Sequence, residues 1–231
     1  MKKTPPSREE PSAKMRRFQA EADYADSIVH WDLCDQEASI ALLKRALEWD
    51  PTYAPAILTM GSIEYQLHRR AEGRKLFQSL LSLPDTTPDL AELIDRAGDF
   101  LIDRRDYEDG LELYRAAVKK FPSVAALHQG LSCCASHQRF NDEALAAAER
   151  ALQLEPDYQP FVNDLGWSLY KVGRLEEART VLERAVSMGP SDGYARNNLR
   201  ICQEEISKRS EGSGSKRKPR RTTSTRKPLI E

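Results

Sequence analysis

The chain has 231 residues, with 35 Lys and Arg against 36 Asp and Glu, and 40% of it is hydrophobic. No run of about 18 apolar residues is present, so no membrane span is expected, and the start Met1-Lys2-Lys3-Thr4-Pro5-Pro6 lacks the apolar stretch of a secretory signal. The four cysteines (34, 133, 134 and 202) lack the spacing of a disulfide framework, so a reducing compartment, the cytoplasm, is expected.

Taken in chain order, residues 1–17 carry six Lys or Arg against two acids among Pro and Ser, a composition that predicts a disordered basic tail. Residues 18–53 read as a degenerate helical hairpin. Its second half has Ile40, Leu43, Ala46 and Leu47 at helical spacing, whereas its first half carries Asp23, Asp26 and Ser27 where later units pack. The unit 54–87 holds Met60-Gly61 at its seventh and eighth places, Gly73 at its twentieth and Phe77 at its twenty-fourth. A three-residue insertion around Thr87, Pro88 and Asp89 follows. Frames then start at Ala91, Ala125 and Gln159 (91–124, 125–158 and 159–192), and Pro122, Pro156 and Pro190 stand 34 residues apart. Ala97-Gly98, Leu131-Ser132 and Leu165-Gly166 fill the seventh and eighth places, Gly110, Ala144 and Ala178 the twentieth, and Ala117, Ala151 and Ala185 the twenty-seventh. Ser191-Asp192 offers an N-cap to an amphipathic helix over 193–208, with Leu199, Ile201, Cys202 and Ile206 on one face. Residues 209–231 form a second basic tail, so the body between the tails is acidic.

Small residues recurring at helical offsets every 34 residues mean stacked helical hairpins. The pattern resembles the tetratricopeptide repeat (TPR) family, and it fits best from Gln159, with Leu165-Gly166, Leu169, Gly173, Ala178, Leu182, Ala185 and Pro190. It departs at the fourth place, where the family's frequent tryptophan is Ile57, Ile94, His128 or Val162. The resemblance implies an all-α, right-handed superhelical solenoid of about five hairpins with a C-terminal capping helix. It also implies a non-enzymatic adaptor or scaffold that binds partner segments in a concave groove.

In the family, places two, five, six, nine, twelve and thirteen of each first helix usually face that groove. Carried over, this implies groove positions for Tyr65, Asp95, Asp99, Asp103, Asn163, Trp167, Tyr170 and Lys171, with Tyr194, Asn197 and Asn198 added by the last helix. Asp95, Asp99 and Asp103 share one helix face at i, i+4 and i+8. Two readings stay open: a solvated face partly neutralised by Arg96, Arg104 and Arg105, or a stripe for a basic segment, with the chain's own basic tails allowing self-association or tail docking there. Trp167, Tyr170 and Tyr194 are expected to converge with Asn163 and Asn197. The Lys/Asn/Arg clamp by which chaperone-binding TPR domains hold a carboxylate has only Arg96 in register, beside Leu58, Ser62 and Glu92.

His30/Cys34 and Cys133/His137 each offer two ligands where zinc takes four, or three and a water, so no metal or other cofactor is expected. No phosphate loop or hydrolase motif is present. In the C-terminal tail, Lys216, Arg217, Lys218, Arg220 and Arg221 resemble a nuclear-import signal. They give the alternative reading, an accessory nucleic-acid-associated factor whose repeats recruit partners.

Overall fold

The computed structural model describes residues 11–214, and among these it contains eleven α-helices and no strand. They pair as hairpins: α1 (Ala13–Asp32) with α2 (Gln36–Trp49), α3 (Ala54–Gln66) with α4 (Arg70–Leu81), α5 (Leu90–Asp103) with α6 (Tyr107–Lys120), α7 (Ala125–His137) with α8 (Asn141–Leu154), and α9 (Gln159–Lys171) with α10 (Leu175–Met188). Helix α11 (Gly193–Gly214) follows. The chain divides into two compact units, the first holding α1 to α8 and the second α9 to α11.

One backbone feature repeats in every hairpin. Cys34, His68, Arg105, Arg139 and Gly173 have left-handed φ values of 60–85°, and each sits in the turn between the two helices of its pair. Their positions keep the 34-residue period, except for the step from His68 to Arg105, which carries the three-residue insertion. Four of the five are not glycine, and each of these pays for a Cβ in that conformation.

Helix α1 begins at Ala13, inside the segment read as tail. Ser12 caps it, its hydroxyl accepting from the Met15 amide at 3.2 Å. The polar residues that made the first hairpin look degenerate are buried but satisfied. Asp23, 1% exposed, accepts from Arg45 Nε and Nη2, both at 2.6 Å, and Arg45 chiefly holds its carboxyl below the usual range. Ser27 donates to the Tyr24 carbonyl at 2.6 Å. Around them Ala20, Leu43, Ala46, Tyr53, Ala56, Met60 and Ile63 form an apolar cluster.

Further along the first unit, small residues let aromatic rings in. The Tyr114 ring of α6 lies between Gly98 of α5 and Gly130 of α7, and a Cβ on either glycine would run into it. Tyr65 stacks on Phe77 with centroids 5.4 Å apart, and Gly73 leaves room for its ring. Its hydroxyl donates to Asp109 Oδ2 at 2.7 Å. Asp109 also accepts from Arg70 at 2.7 and 3.0 Å, which ties α3 and α4 to α6. On the same side Arg115 of α6 pairs with Glu143 of α8 at 2.6 Å.

In the second unit Leu169, Leu175, Ala178, Leu182, Ala185, Ala195 and Cys202 are buried. Asp192 accepts from the Tyr194 amide at 2.8 Å, as its capping position predicts. Helix α11 runs to Gly214, past the expected end at 208.

Candidate functional site

The apolar residues of α5 decide where its acids point. Leu90, Leu93, Ile94, Ala97, Gly98 and Leu101 are buried, so Asp95, Asp99 and Asp103 stand on the other side, the first half-buried and the other two exposed. The Tyr114 hydroxyl emerges between the glycines to meet them. It lies 3.2 Å from the Asp95 carbonyl, from Asp95 Oδ1 and from Asp99 Oδ1, and it has one proton for all three. Burial, with repulsion from Asp99, pushes the Asp95 carboxyl up to about 6. Burial raises Asp99 as well, with a further contribution from Asp103.

Of the three arginines expected to neutralise this stripe, Arg96 and Arg104 make no ion pair with it among the described residues. Arg104 donates to Asp106 at 3.1 Å and lies over the Phe100 ring. Arg96 is exposed and makes no hydrogen bond or ion pair among the described residues. Instead it borders a recess of about 340 Å³ beside the stripe, floored by Leu58, Ile63 and Phe100 and walled by Ile28 and Trp31 of α1. Thr59, Ser62 and Gln66 give the recess polar edges. An apolar hollow thus adjoins two crowded carboxylates.

Tyr65 is a correction. At 2% exposure it is a core residue, drawn inward by the space over Gly73 and by the buried Asp109 acceptor, so it lines no surface. On α7, His137 stacks on Tyr107 with centroids 3.8 Å apart. Cys134 is fully buried, and burial pushes its thiol up to about 12, which makes it a poor nucleophile. His30 faces Asp35 at 3.3 Å. No group of three or more His, Cys, Asp or Glu suited to a metal occurs among the described residues.

The second unit presents its own surface on α9. Trp167 and Tyr170 stack at 5.0 Å and 21°, and Lys171 Nζ lies 5.9 Å from the Trp167 ring. Asn163 accepts from Asn198 Nδ2 at 3.0 Å, so of the two asparagines offered by α11 it is Asn198 that bonds it. Asn197 accepts from Arg200 at 2.9 Å. Tyr194, read as a groove residue, is open to solvent. It is 83% exposed, because the turn of α11 that buries Ala195 directs its neighbour outward. The basic residues Lys216, Arg217, Lys218, Arg220 and Arg221 lie outside the described residues.

Two family models described as tetratricopeptide repeat match residues 96–159 and 141–199. The chain is a TPR protein. It is similar to the small glutamine-rich tetratricopeptide repeat-containing protein 2 of Mycosarcoma maydis, 24% identical over 117 residues, which are 51% of this chain and 33% of that protein. It is also similar to the STIP1 homolog of Dictyostelium discoideum, 26% identical over 106 residues, 46% of this chain and 19% of that one. The TPR chain therefore spans a third or less of the length of these curated relatives. Among solved structures, the TPR protein YrrB, described as having an unusual peptide-binding site, superposes with a TM-score of 0.58 at 17% identity. The match covers 82% of this chain and 100% of that one, and it shows a shared fold.

In this TPR chain, sequence reasoning missed the contribution of Tyr114 to the acidic stripe. The signal was Gly130, a residue with no side chain at a place where the family usually presents one. Ile28 and Trp31 were also missed, because the first hairpin looked too polar to contribute a wall, as was Phe100 of α5.

Proposed function

We propose that this TPR chain is a non-enzymatic adaptor that holds a segment of a partner protein against the first helices of its hairpins. In the first unit, that segment brings a basic residue to Asp95 and Asp99 and an apolar side chain to the adjoining recess. The observation that carries this reading is the half-buried Asp95 carboxylate crowded by the exposed Asp99, neither of them in an ion pair among the described residues, set beside an apolar hollow. Like charges so placed cost stability, and an incoming Lys or Arg relieves that cost. The names of the relatives point to other TPR proteins, and YrrB's description gives one of that fold a peptide-binding site. The same carboxylates repel an acidic segment or a chain-terminal carboxylate, so a carboxylate clamp is not the mode proposed. The expected place of action is the cytoplasm.

The test is fluorescence anisotropy with labelled ten-residue peptides: one with Lys or Arg beside Leu and Phe, one with the cations replaced by Glu, and one with the apolar residues replaced by Ser. Only the first is expected to bind tightly, and Asp99→Asn is expected to weaken it at least about tenfold, the scale of one lost charge-assisted contact. Equal binding of the acidic peptide, or no effect of Asp99→Asn, overturns the reading.

A further inference from the structure

Helix α1 buries Ala20, Asp23 and Ser27 and turns Ile28 and Trp31 toward the recess. Its opposite side should be polar, as on any end helix of a repeat stack. It is apolar instead. Met15, Phe18, Val29 and Leu33 are 56%, 65%, 55% and 71% exposed, and Ala22 and Ala25 fall between them on the same line. Residues 15, 22 and 29, like 18 and 25, are seven apart, the spacing of a helix–helix seam.

The stripe is self-complementary when reversed. In an antiparallel arrangement Met15 faces Leu33, Phe18 faces Val29 and Ala22 faces Ala25, and all three pairs share a centre at residues 23–24. The two alanines at that centre allow close approach of two helix axes, while the larger residues fill the ends. Charge agrees with this register. Lys14 and Asp32, the second and the last residue of α1, flank the stripe on the same side, and neither has a hydrogen bond or ion pair among the described residues. Reversal places each Lys14 beside the other copy's Asp32.

We infer that α1 is a homodimerisation helix, pairing antiparallel with α1 of a second copy about a two-fold axis at residues 23–24. In such an isologous contact every pair occurs twice, so the two ends are sealed by two Lys14–Asp32 bridges. A 20-residue helix is about 30 Å long, and one such pair buries less than the ~1,600 Å² of a standard interface. An interface of that size is weak and reversible, with a Kd roughly in the micromolar range. Since the recess lies on another side of α1, the dimer presents two partner sites and gains avidity for repeated segments.

Sedimentation velocity of the full chain under reducing conditions, from about 2 to about 300 µM to bracket that Kd, tests this. The weight-average mass is expected to rise from the 26.2 kDa of one chain toward twice that value. Phe18→Glu, on an exposed position that leaves the fold's circular dichroism unchanged, is expected to hold the chain at monomer mass throughout. Lys14→Asp is expected to weaken the dimer at least about fivefold, and Lys14→Asp with Asp32→Lys to restore it, which nonspecific apolar association would not do. A wild-type chain that stays monomeric, a dimer that survives Phe18→Glu, or a charge swap that fails to restore association overturns the inference.

Discussion

Replacing Asp95 by Asn should make the protein more stable at neutral pH and a poorer binder. The folded-state pKa of about 6 stands about two units above that of a free aspartate. With the acid's pKa raised by folding, stability is full below about pH 4 and declines as pH rises through 6, where the folded state must give up a proton it holds more tightly than the unfolded chain does. Two units correspond to almost 3 kcal/mol, but Asp95 is only half-buried, and solvent screening reduces this to about 1 kcal/mol. Asn keeps the shape and an oxygen that can accept from Tyr114. Urea unfolding of both proteins at pH 4.5 and 7.5 should therefore give nearly equal midpoints at the lower pH. At the higher pH the Asn variant should lead by about 1 kcal/mol. Taking the difference between the proteins cancels the other carboxylates, which titrate in both. If the variant is less stable than wild type at pH 7.5, the carboxylate is a structural bond, and the argument for a strained site fails.

Asp109→Asn should act in the opposite direction. It removes a buried carboxylate bonded to Tyr65 and Arg70, and because Arg70 is half exposed and can rehydrate, the loss should fall to about 2–3 kcal/mol, below the full cost of a broken buried pair. Its lowered pKa means that this contribution holds above about pH 4 and fades as pH falls further, which thermal melts at pH 7 and pH 3 will show. Arg139→Gly should raise stability by up to about 0.5 kcal/mol, the relief of a left-handed Cβ less the entropy of a glycine. A measured loss would mean that the Arg139 side chain contributes contacts beyond its backbone role.

The period made most of the fold legible, because it reflects close helix packing that only small residues permit, and the turns at 34, 68, 105, 139 and 173 carry it in the backbone. The first hairpin was harder to read. Asp23 and Ser27 look misplaced until Arg45, 22 residues away, and the Tyr24 carbonyl are seen to satisfy them, and no local pattern encodes that pairing. For the site, helical spacing alone put Asp95, Asp99 and Asp103 on one face. Their lack of an ion pair among the described residues depends on where Arg96 and Arg104 point, which spacing does not determine. Tyr65 went inward for a similar reason, since its place in the frame says nothing of the room above Gly73 or of an acceptor 44 residues away. On α11, spacing offered Tyr194, Asn197 and Asn198 together, and it is Asn198 that bonds Asn163.

The account turns on the first unit's surface taking a basic, apolar segment. Backbone amide shift mapping by NMR on the full chain, titrated with the Lys/Arg–Leu/Phe peptide, tests it most directly. Perturbations concentrated on Ile28, Trp31, Thr59, Arg96, Asp99 and Phe100, weakening as pH falls from 7.5 to 5, are the predicted result. Perturbations confined to Trp167 and Tyr170 in the second unit, or none at all, would contradict it.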